Sequence, residues 1–170
     1  FVATATSVLE LEGAVVFADI DPASLTISPA SVAALITPRT KAVIGVHFGG
    51  NPCDMEGLRR AIAGREIALV EDACHAHGMS YRGQMAGGLG AAGCFSFQSS
   101  KNMACGEGGA MVTDDTSLFE RCGVRATFFV THDGVSVPGH ERGLHPNFRR
   151  NGDTWKRLLA ANVGRTEHLT

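Results

Sequence analysis

Lysine is scarce in this chain of 170 residues: only Lys41, Lys101 and Lys156 are present. A reaction that needs a lysine amine therefore has three candidates. Cysteine is present but unpatterned. Cys53, Cys74, Cys94, Cys105 and Cys122 form no Cys-x-x-Cys pair and their total is odd, which argues against a zinc site or a disulfide framework and for reduced thiols in a cytoplasmic protein. No run approaches the roughly 20 apolar residues that a membrane-spanning helix needs. The net charge of −2 offers nothing to draw nucleic acid or an anionic membrane surface. The opening residues Phe1 to Thr6 lack the basic n-region and cleavage pattern of a signal peptide. Phe1 in place of a start methionine is expected of a chain that begins inside a longer one. What remains is ordinary for a globular protein, 44% apolar and 19% charged, and long enough for one domain with a core.

Apolar runs alternate with helix-like segments, the pattern of an α/β sheet. Residues 14–18 (Ala-Val-Val-Phe-Ala), 42–46 (Ala-Val-Ile-Gly-Val) and 67–70 (Ile-Ala-Leu-Val) read as strands. Their continuous rather than alternating apolar character predicts burial on both faces, as in a largely parallel sheet. Ser28-Pro29 opens a helix with a capping hydroxyl and a proline in the first turn, and Val32, Leu35 and Ile36 share its face. Asp54 caps a helix to about Ala63 with Met55, Leu58 and Ile62 inward. Residues 78–93, rich in glycine, read as loop. Strands follow at 94–97 and 110–113, and Asp115 opens a helix to about Arg125. Residues 131–146 read as loop, and the tail from Trp155 has helical spacing.

Ligands of an open parallel sheet sit beyond the carboxyl ends of its strands. Asp72 lies just past one such end and Lys101 past another. Lys41 enters a strand at its amino end, and Lys156 lies in a basic amphipathic tail that solvent explains. Lys101 is surrounded by Ser99, Ser100, Asn102, Ala104 and Gly106, small residues that leave room for a bulky group. An acid and a lysine meeting at adjacent strand ends suit pyridoxal phosphate chemistry, in which the lysine carries the aldehyde and the carboxylate holds the pyridine nitrogen protonated. On these residues alone, a surface-loop lysine stands as an equal alternative.

Three motifs change that balance. Glu71-Asp72-Ala73-Cys74-His75-Ala76-His77-Gly78, Phe95-Ser96-Phe97-Gln98-Ser99-Ser100-Lys101 and Gly106-Glu107-Gly108-Gly109-Ala110 together resemble the DegT/DnrJ/StrS family of sugar and aminocyclitol aminotransferases. The runs Phe1 to Ala5, Phe17 to Pro22 and Thr37 to Val43 resemble it too. The likeness runs from residue 1 to about 126 and returns weakly at Asn147-Phe148-Arg149. It implies a partial large domain of the fold-type-I pyridoxal-phosphate enzymes, with a mostly parallel central sheet flanked by helices. Residues 1–130 would be the central part of that domain. Residues 131–170 would be a loop and the start of the connection toward a small carboxy-terminal domain absent from this sequence, as is the family's amino-terminal phosphate-binding segment.

The resemblance further implies Lys101 as the Schiff-base lysine, Asp72 as partner of the pyridine nitrogen and Ser96 as a phosphate ligand. It places His75 beside the ring and its phenolic oxygen, in the manner of the branch acting on aminocyclitols or the related aminohydroxybenzoate pathway. Asn147 and Arg149 match a segment that reaches the site of a neighbouring subunit in a homodimer, although Arg150-Asn151-Gly152-Asp153 departs from the family pattern after them. The implied activity is transfer of an amino group from L-glutamine or L-glutamate to a keto-cyclitol or keto-sugar, with no metal. Alternatives are an aromatizing dehydratase of the 3-amino-5-hydroxybenzoate kind, a pyridoxamine-dependent sugar dehydratase, against which the presence of Lys101 counts, and a non-catalytic cofactor-binding member. Outside the site, a strand-end serine such as Ser96 also commonly serves the backbone, Cys74 suits a small buried position, His77 caps or packs, and His47, Asp19 and Asp21 belong to turns. The 170 residues alone are expected to be poorly soluble or inactive.

Overall fold

In the computed structural model, which describes residues 1–115, 117–118, 127–130 and 141–144, the continuous apolar runs become a four-stranded sheet. Its strands are β1 (Ala42–Val46), β2 (Ala68–Asp72), β5 (Ala92–Ser96) and β6 (Gly109–Val112), in that order across the sheet. β1, β2 and β5 are parallel, and β6 closes the row antiparallel to β5. Between β2 and β5 lies a hairpin of two-residue strands, β3 (Ser80–Tyr81) and β4 (Gln84–Met85). The helices are α1 (Val2–Leu9), α2 (Pro29–Leu35) and α3 (Met55–Ile62).

Both later helices start as their sequences require. Ser28 accepts a hydrogen bond from the Ser31 N–H, with Pro29 in the first turn of α2. Asp54 accepts from the Gly57 N–H at 3.0 Å and caps α3, with Arg59 and Arg60 placed at the negative end of its dipole. Helical spacing turns Met55 and Leu58 inward, where both are fully buried against Val32 of α2, Val43 of β1, Leu69 of β2 and Leu89. This cluster lies on one face of the sheet. Leu35, expected on the inner face of α2, stays 41% exposed.

The second face departs from expectation. β1 and β2 each alternate between buried and half-buried side chains rather than being covered twice, because α2 and α3 both pack on the face of Val43 and Leu69. Residues 14–18, read as a strand, form no ladder: the backbone nearby pairs only through the single bridge Ile20 to Ile27. A β-branched run becomes a strand only where an edge offers it hydrogen bonds, and Val16 and Phe17 remain largely exposed. The glycine-rich 78–93 segment, read as loop, contains the β3–β4 hairpin, turned by Arg82 and Gly83 at φ +50 and +84. Asp21 holds a turn by accepting from the Ala23 and Ser24 N–H groups, as expected.

A second compact unit, Thr116–Thr170, is separate from Phe1–Asp115. In it β7 (Thr127–Val130) and β8 (Glu141–Leu144) pair in parallel. Residues 141–144 therefore correct the loop expected over 131–146, and Thr-Phe-Phe-Val is β-prone in its own right. Most of the helix expected after Asp115, the tail from Trp155, and Asn147, Arg149 and Lys156 lie outside the described residues.

One buried ionic cluster ties the sheet to its loops. In register across the sheet, Glu71 stands between Gly45 and Gly93, so both lateral neighbours lack side chains. A Cβ on Gly93 would collide with Gly87, and one on Gly45 would crowd the Cys53 sulfur. Into that space Glu71, fully buried, accepts hydrogen bonds from the Gly87 N–H (2.8 Å), the Leu89 N–H (2.6 Å) and the Gly90 N–H (2.7 Å). His47 is the remaining partner. Its Nδ1 accepts from the Cys53 N–H at 3.1 Å, which puts the ring proton on Nε2, 3.0 Å from Glu71 Oε2. His47 is thus the turn residue its place after β1 implied. Burial by itself pushes the Glu71 carboxyl up, but the bonds from His47 and the three backbone N–H groups outweigh it and hold the group below the ordinary glutamate range.

Two predictions follow from this packing. Leu58→Ala in the full chain should cost about 2–5 kcal/mol in denaturant unfolding. A folded-state pKa below the unfolded value means that the Glu71 contribution is complete above the ordinary value of 4.5 and drains away as pH falls below it. Glu71→Gln should therefore lower stability at pH 7 by about 1–3 kcal/mol and flatten the loss of stability on the acid side, read by thermal melts between pH 3 and 7.

Candidate active site

Parallel strands bring their carboxyl ends to one edge of the sheet. Asp72 is the last residue of β2 and Ser96 the last of β5, with Asp72 beside Cys94 in register. Because neighbours in a strand alternate faces, Glu71 turns into the core and Asp72 turns to the other side together with Val46, Cys94 and Ser96.

Asp72 is half-buried, and each of its carboxylate oxygens has a partner. Its Oδ2 accepts from the Thr4 hydroxyl at 2.7 Å and its Oδ1 from the Cys74 N–H at 3.2 Å. Its carbonyl accepts from the His47 N–H at 3.0 Å, which links it to the loop after β1. Burial raises its carboxyl pKa, but the hydrogen bonds from Thr4 and Cys74 and the nearby His75 more than reverse this, so it is held below the usual aspartate value. At neutral pH it is an anion with spare lone pairs on a half-open face.

Lys101 occupies the turn after β5, half-buried, with its backbone N–H bonded to the Gln98 carbonyl at 2.9 Å. Its Nζ lies 5.6 Å from the centroid of the Phe1 ring. Phe1 precedes α1, and Thr4 lies one turn further along, so the start of α1 touches Lys101 through one residue and Asp72 through the other. Cys74 completes the link. Its thiol is pushed up to about 12, first by burial and then by the neighbouring Asp72 carboxylate, while Lys101 acts in the opposite direction. It therefore stays protonated, a neutral group under the influence of both the acid and the amine, and unsuited to be a nucleophile.

His75 follows in the turn after β2. It is half-buried, its ring edge-on to Phe48 at 6.1 Å, and it lies near enough to Asp72 to help lower that carboxyl's pKa. Ser96 reaches the same sheet edge, where its hydroxyl accepts from the Gln98 N–H at 3.4 Å, the backbone role open to a strand-end serine. His77 packs between the Phe95 and Phe97 rings at 5.4 and 5.7 Å, the packing role that its sequence allowed. The described residues thus bring Asp72, His75, Ser96 and Lys101 to one edge of the sheet. Asn147 and Arg149 lie outside them.

Thr4 and Phe1 were not identifiable from their sequence positions. Thr4 is 68 residues from Asp72; it lies in the family-like run Phe1 to Ala5, but that run by itself assigns its side chain no partner. Chemically, an anionic carboxylate at one strand end and a primary amine over an aromatic ring in the turn after the neighbouring strand are groups able to hold a cationic heteroaromatic ring and a carbonyl carbon.

Comparison with known proteins places the chain in a family. Residues 1–143 match the model of the DegT/DnrJ/EryC1/StrS aminotransferase family. The chain is 45% identical over 140 residues to the L-glutamine:2-deoxy-scyllo-inosose aminotransferase of Streptomyces fradiae, covering 82% of this chain and 33% of that protein. It is 43% identical over 121 residues to the spore coat polysaccharide biosynthesis protein SpsC of Bacillus subtilis, covering 71% and 31%. The chain therefore spans about a third of the length of these curated relatives. Among solved structures, 3-amino-5-hydroxybenzoic acid synthase superposes with a TM-score of 0.70 at 32% identity, covering 85% of this chain and 38% of that one. DesI, crystallised with its TDP-sugar product, gives 0.68 at 45% identity, covering 71% and 31%. With its mainly parallel sheet and its match over residues 1–143, the chain belongs to the DegT/DnrJ/EryC1/StrS aminotransferase family.

Proposed function

We propose that the whole protein is a pyridoxal-phosphate aminotransferase that moves an amino group from L-glutamine or L-glutamate to a keto-cyclitol or keto-sugar. The observation that carries this reading is the anionic Asp72, held by Thr4 and Cys74, at the strand end next to the one that presents Lys101. Family membership supplies the class of reaction. The Streptomyces fradiae relative, whose name specifies glutamine and a keto-cyclitol, supports the choice of substrates.

The donor set fits the cofactor. A pyridine ring needs a carboxylate that stays ionised beside its N–H, and Asp72 is kept in that state. Lys101 supplies the amine to hold the aldehyde carbon, Phe1 a face for the ring, and His75 a group beside Asp72 for the ring's polar edge. Ser96, with the turn that follows it, is our candidate for the phosphate. When bound, pyridoxal phosphate supplies an electron sink and a carrier for the amino group. The chain's own part is then positional and protonic. Asp72 keeps a proton on the ring nitrogen. With the cofactor bound, the Lys101 amine would be the group to move a proton between the donor's α-carbon and the cofactor's aldehyde-derived carbon, as base and then acid.

We assign residues 1–130 to the central part of the cofactor-binding domain and 131–170 to the connection beyond it. Asn147 is assigned to the cofactor site of a second subunit in a homodimer. A second reading, an aromatizing dehydratase, draws on the superposition with 3-amino-5-hydroxybenzoic acid synthase over 85% of the chain. Assays of amino transfer from glutamine to scyllo-inosose and of aminodehydroquinate aromatization distinguish the two.

Borohydride reduction of the full-length, cofactor-loaded protein should fix a pyridoxyl group on the peptide carrying Lys101; a label on Lys41 or Lys156 would refute the assignment. Asp72→Ala should leave that labelling possible while lowering turnover about 10²–10³-fold, the scale for removing one preorganised electrostatic group.

A further inference from the structure

Helix α1 carries three hydroxyls, and two of them act locally. Thr6 donates to the Ala3 carbonyl at 3.3 Å and Ser7 to the Thr4 carbonyl at 3.0 Å, the back-bonding usual for such side chains in helices. Thr4 does otherwise. Its hydroxyl donates to Asp72 Oδ2 at 2.7 Å, across 68 residues of sequence. No side chain of α1 is fully buried, and Thr4 is half-buried.

The two bonds on Asp72 come from opposite sides of the chain. The Cys74 N–H, two residues along, serves Oδ1. The Thr4 hydroxyl serves Oδ2. Together they fix both oxygens, and hence the rotation of the carboxylate plane about its last torsion. Each oxygen has two acceptor positions, so the carboxylate keeps acceptor capacity beyond these two bonds. A short bond from a hydroxyl also favours the anion over the acid, in which that oxygen would accept less well or carry a proton itself.

We propose that Thr4 is a positioning residue for the site: its hydroxyl orients the Asp72 carboxylate and holds it anionic, so that a free lone pair meets the N–H of a bound cationic ring. This rests on the reading of Asp72 as the partner of the cofactor nitrogen. Thr4 touches neither substrate nor the reacting atoms; it acts through Asp72.

The test uses the full chain, first free of cofactor. Asp72 is titrated by carbon-13 NMR of its carboxyl carbon, assigned by the resonance that Asp72→Asn removes. Wild type should titrate below the ordinary aspartate range. Thr4→Val should move the midpoint up toward that range, and Thr4→Ser, which keeps the hydroxyl, should restore the low value. Binding of pyridoxal phosphate, measured by fluorescence, should weaken about tenfold or more in Thr4→Val and recover in Thr4→Ser, the scale of one hydrogen bond to a charged group. Thr4→Ala, favourable in a helix, gives the same readings should the valine variant fail to fold. An Asp72 midpoint unmoved by loss of the hydroxyl, or a serine variant as impaired as valine, would overturn the proposal. Failure of pyridoxyl labelling at Lys101 would overturn the functional reading instead, and the cofactor-free titration keeps the two outcomes apart.

Discussion

Adjacent residues of a β-strand face opposite ways, and at the end of β2 that constraint divides two neighbouring carboxylates between two tasks. Glu71 turns into the core and binds the 87–90 loop and His47. Asp72 turns to the open face and is held by Thr4 and Cys74. Neither could do the other's work. The inner position is flanked by Gly45 and Gly93 and fully buried, so that an acid is stable there only with several donors. The outer position leaves lone pairs for a ligand. A slip of one residue in register would exchange the two and lose both core and site.

Everything at the candidate site is supported from that strand end. The His47 N–H bonded to the Asp72 carbonyl joins the loop after β1 to β2, and the Ala73 N–H bonded to the Cys94 carbonyl at 2.8 Å joins β2 to β5. Lys101 is then delivered by the turn after β5, while β6 pairs back along that strand from Gly109. The Glu71 cluster ties the inner side to the 87–90 loop and to His47. The site side can hold a carboxylate in one orientation without burying it completely, which suits a group that must stay charged and still meet a ligand.

Much of this was legible in the sequence where the cause is local. Asp54 and the spacing of Met55, Leu58 and Ile62 specify α3 by themselves, and Ser28-Pro29 does the same for α2. The scarcity of lysine narrowed the amine to Lys101, but a surface-loop lysine stayed an equal reading until the family resemblance was weighed. What was not legible depends on distant parts. Residues 14–18 have strand composition, yet a strand exists only with a partner edge, which composition does not encode. The β3–β4 turn uses Arg82-Gly83 rather than the usual Asn-Gly, so its signal is weak. The cluster around Glu71 depends on two glycines brought alongside by register, and Thr4 on a helix start meeting a strand end far along the chain. Such contacts are made by the fold rather than by the neighbourhood in sequence. The family resemblance supplied roles for Asp72, His75, Ser96 and Lys101; the geometry adds how Asp72 is kept charged.

The central claim is that Asp72 holds a protonated ring nitrogen in a pyridoxal-phosphate site built with Lys101. It is tested most directly by nitrogen-15 NMR of the full-length protein loaded with pyridoxal phosphate labelled at the ring nitrogen. At pH 8 the account predicts a pyridinium signal in wild type and an unprotonated pyridine signal in Asp72→Ala. An unprotonated nitrogen in the wild-type protein would contradict it.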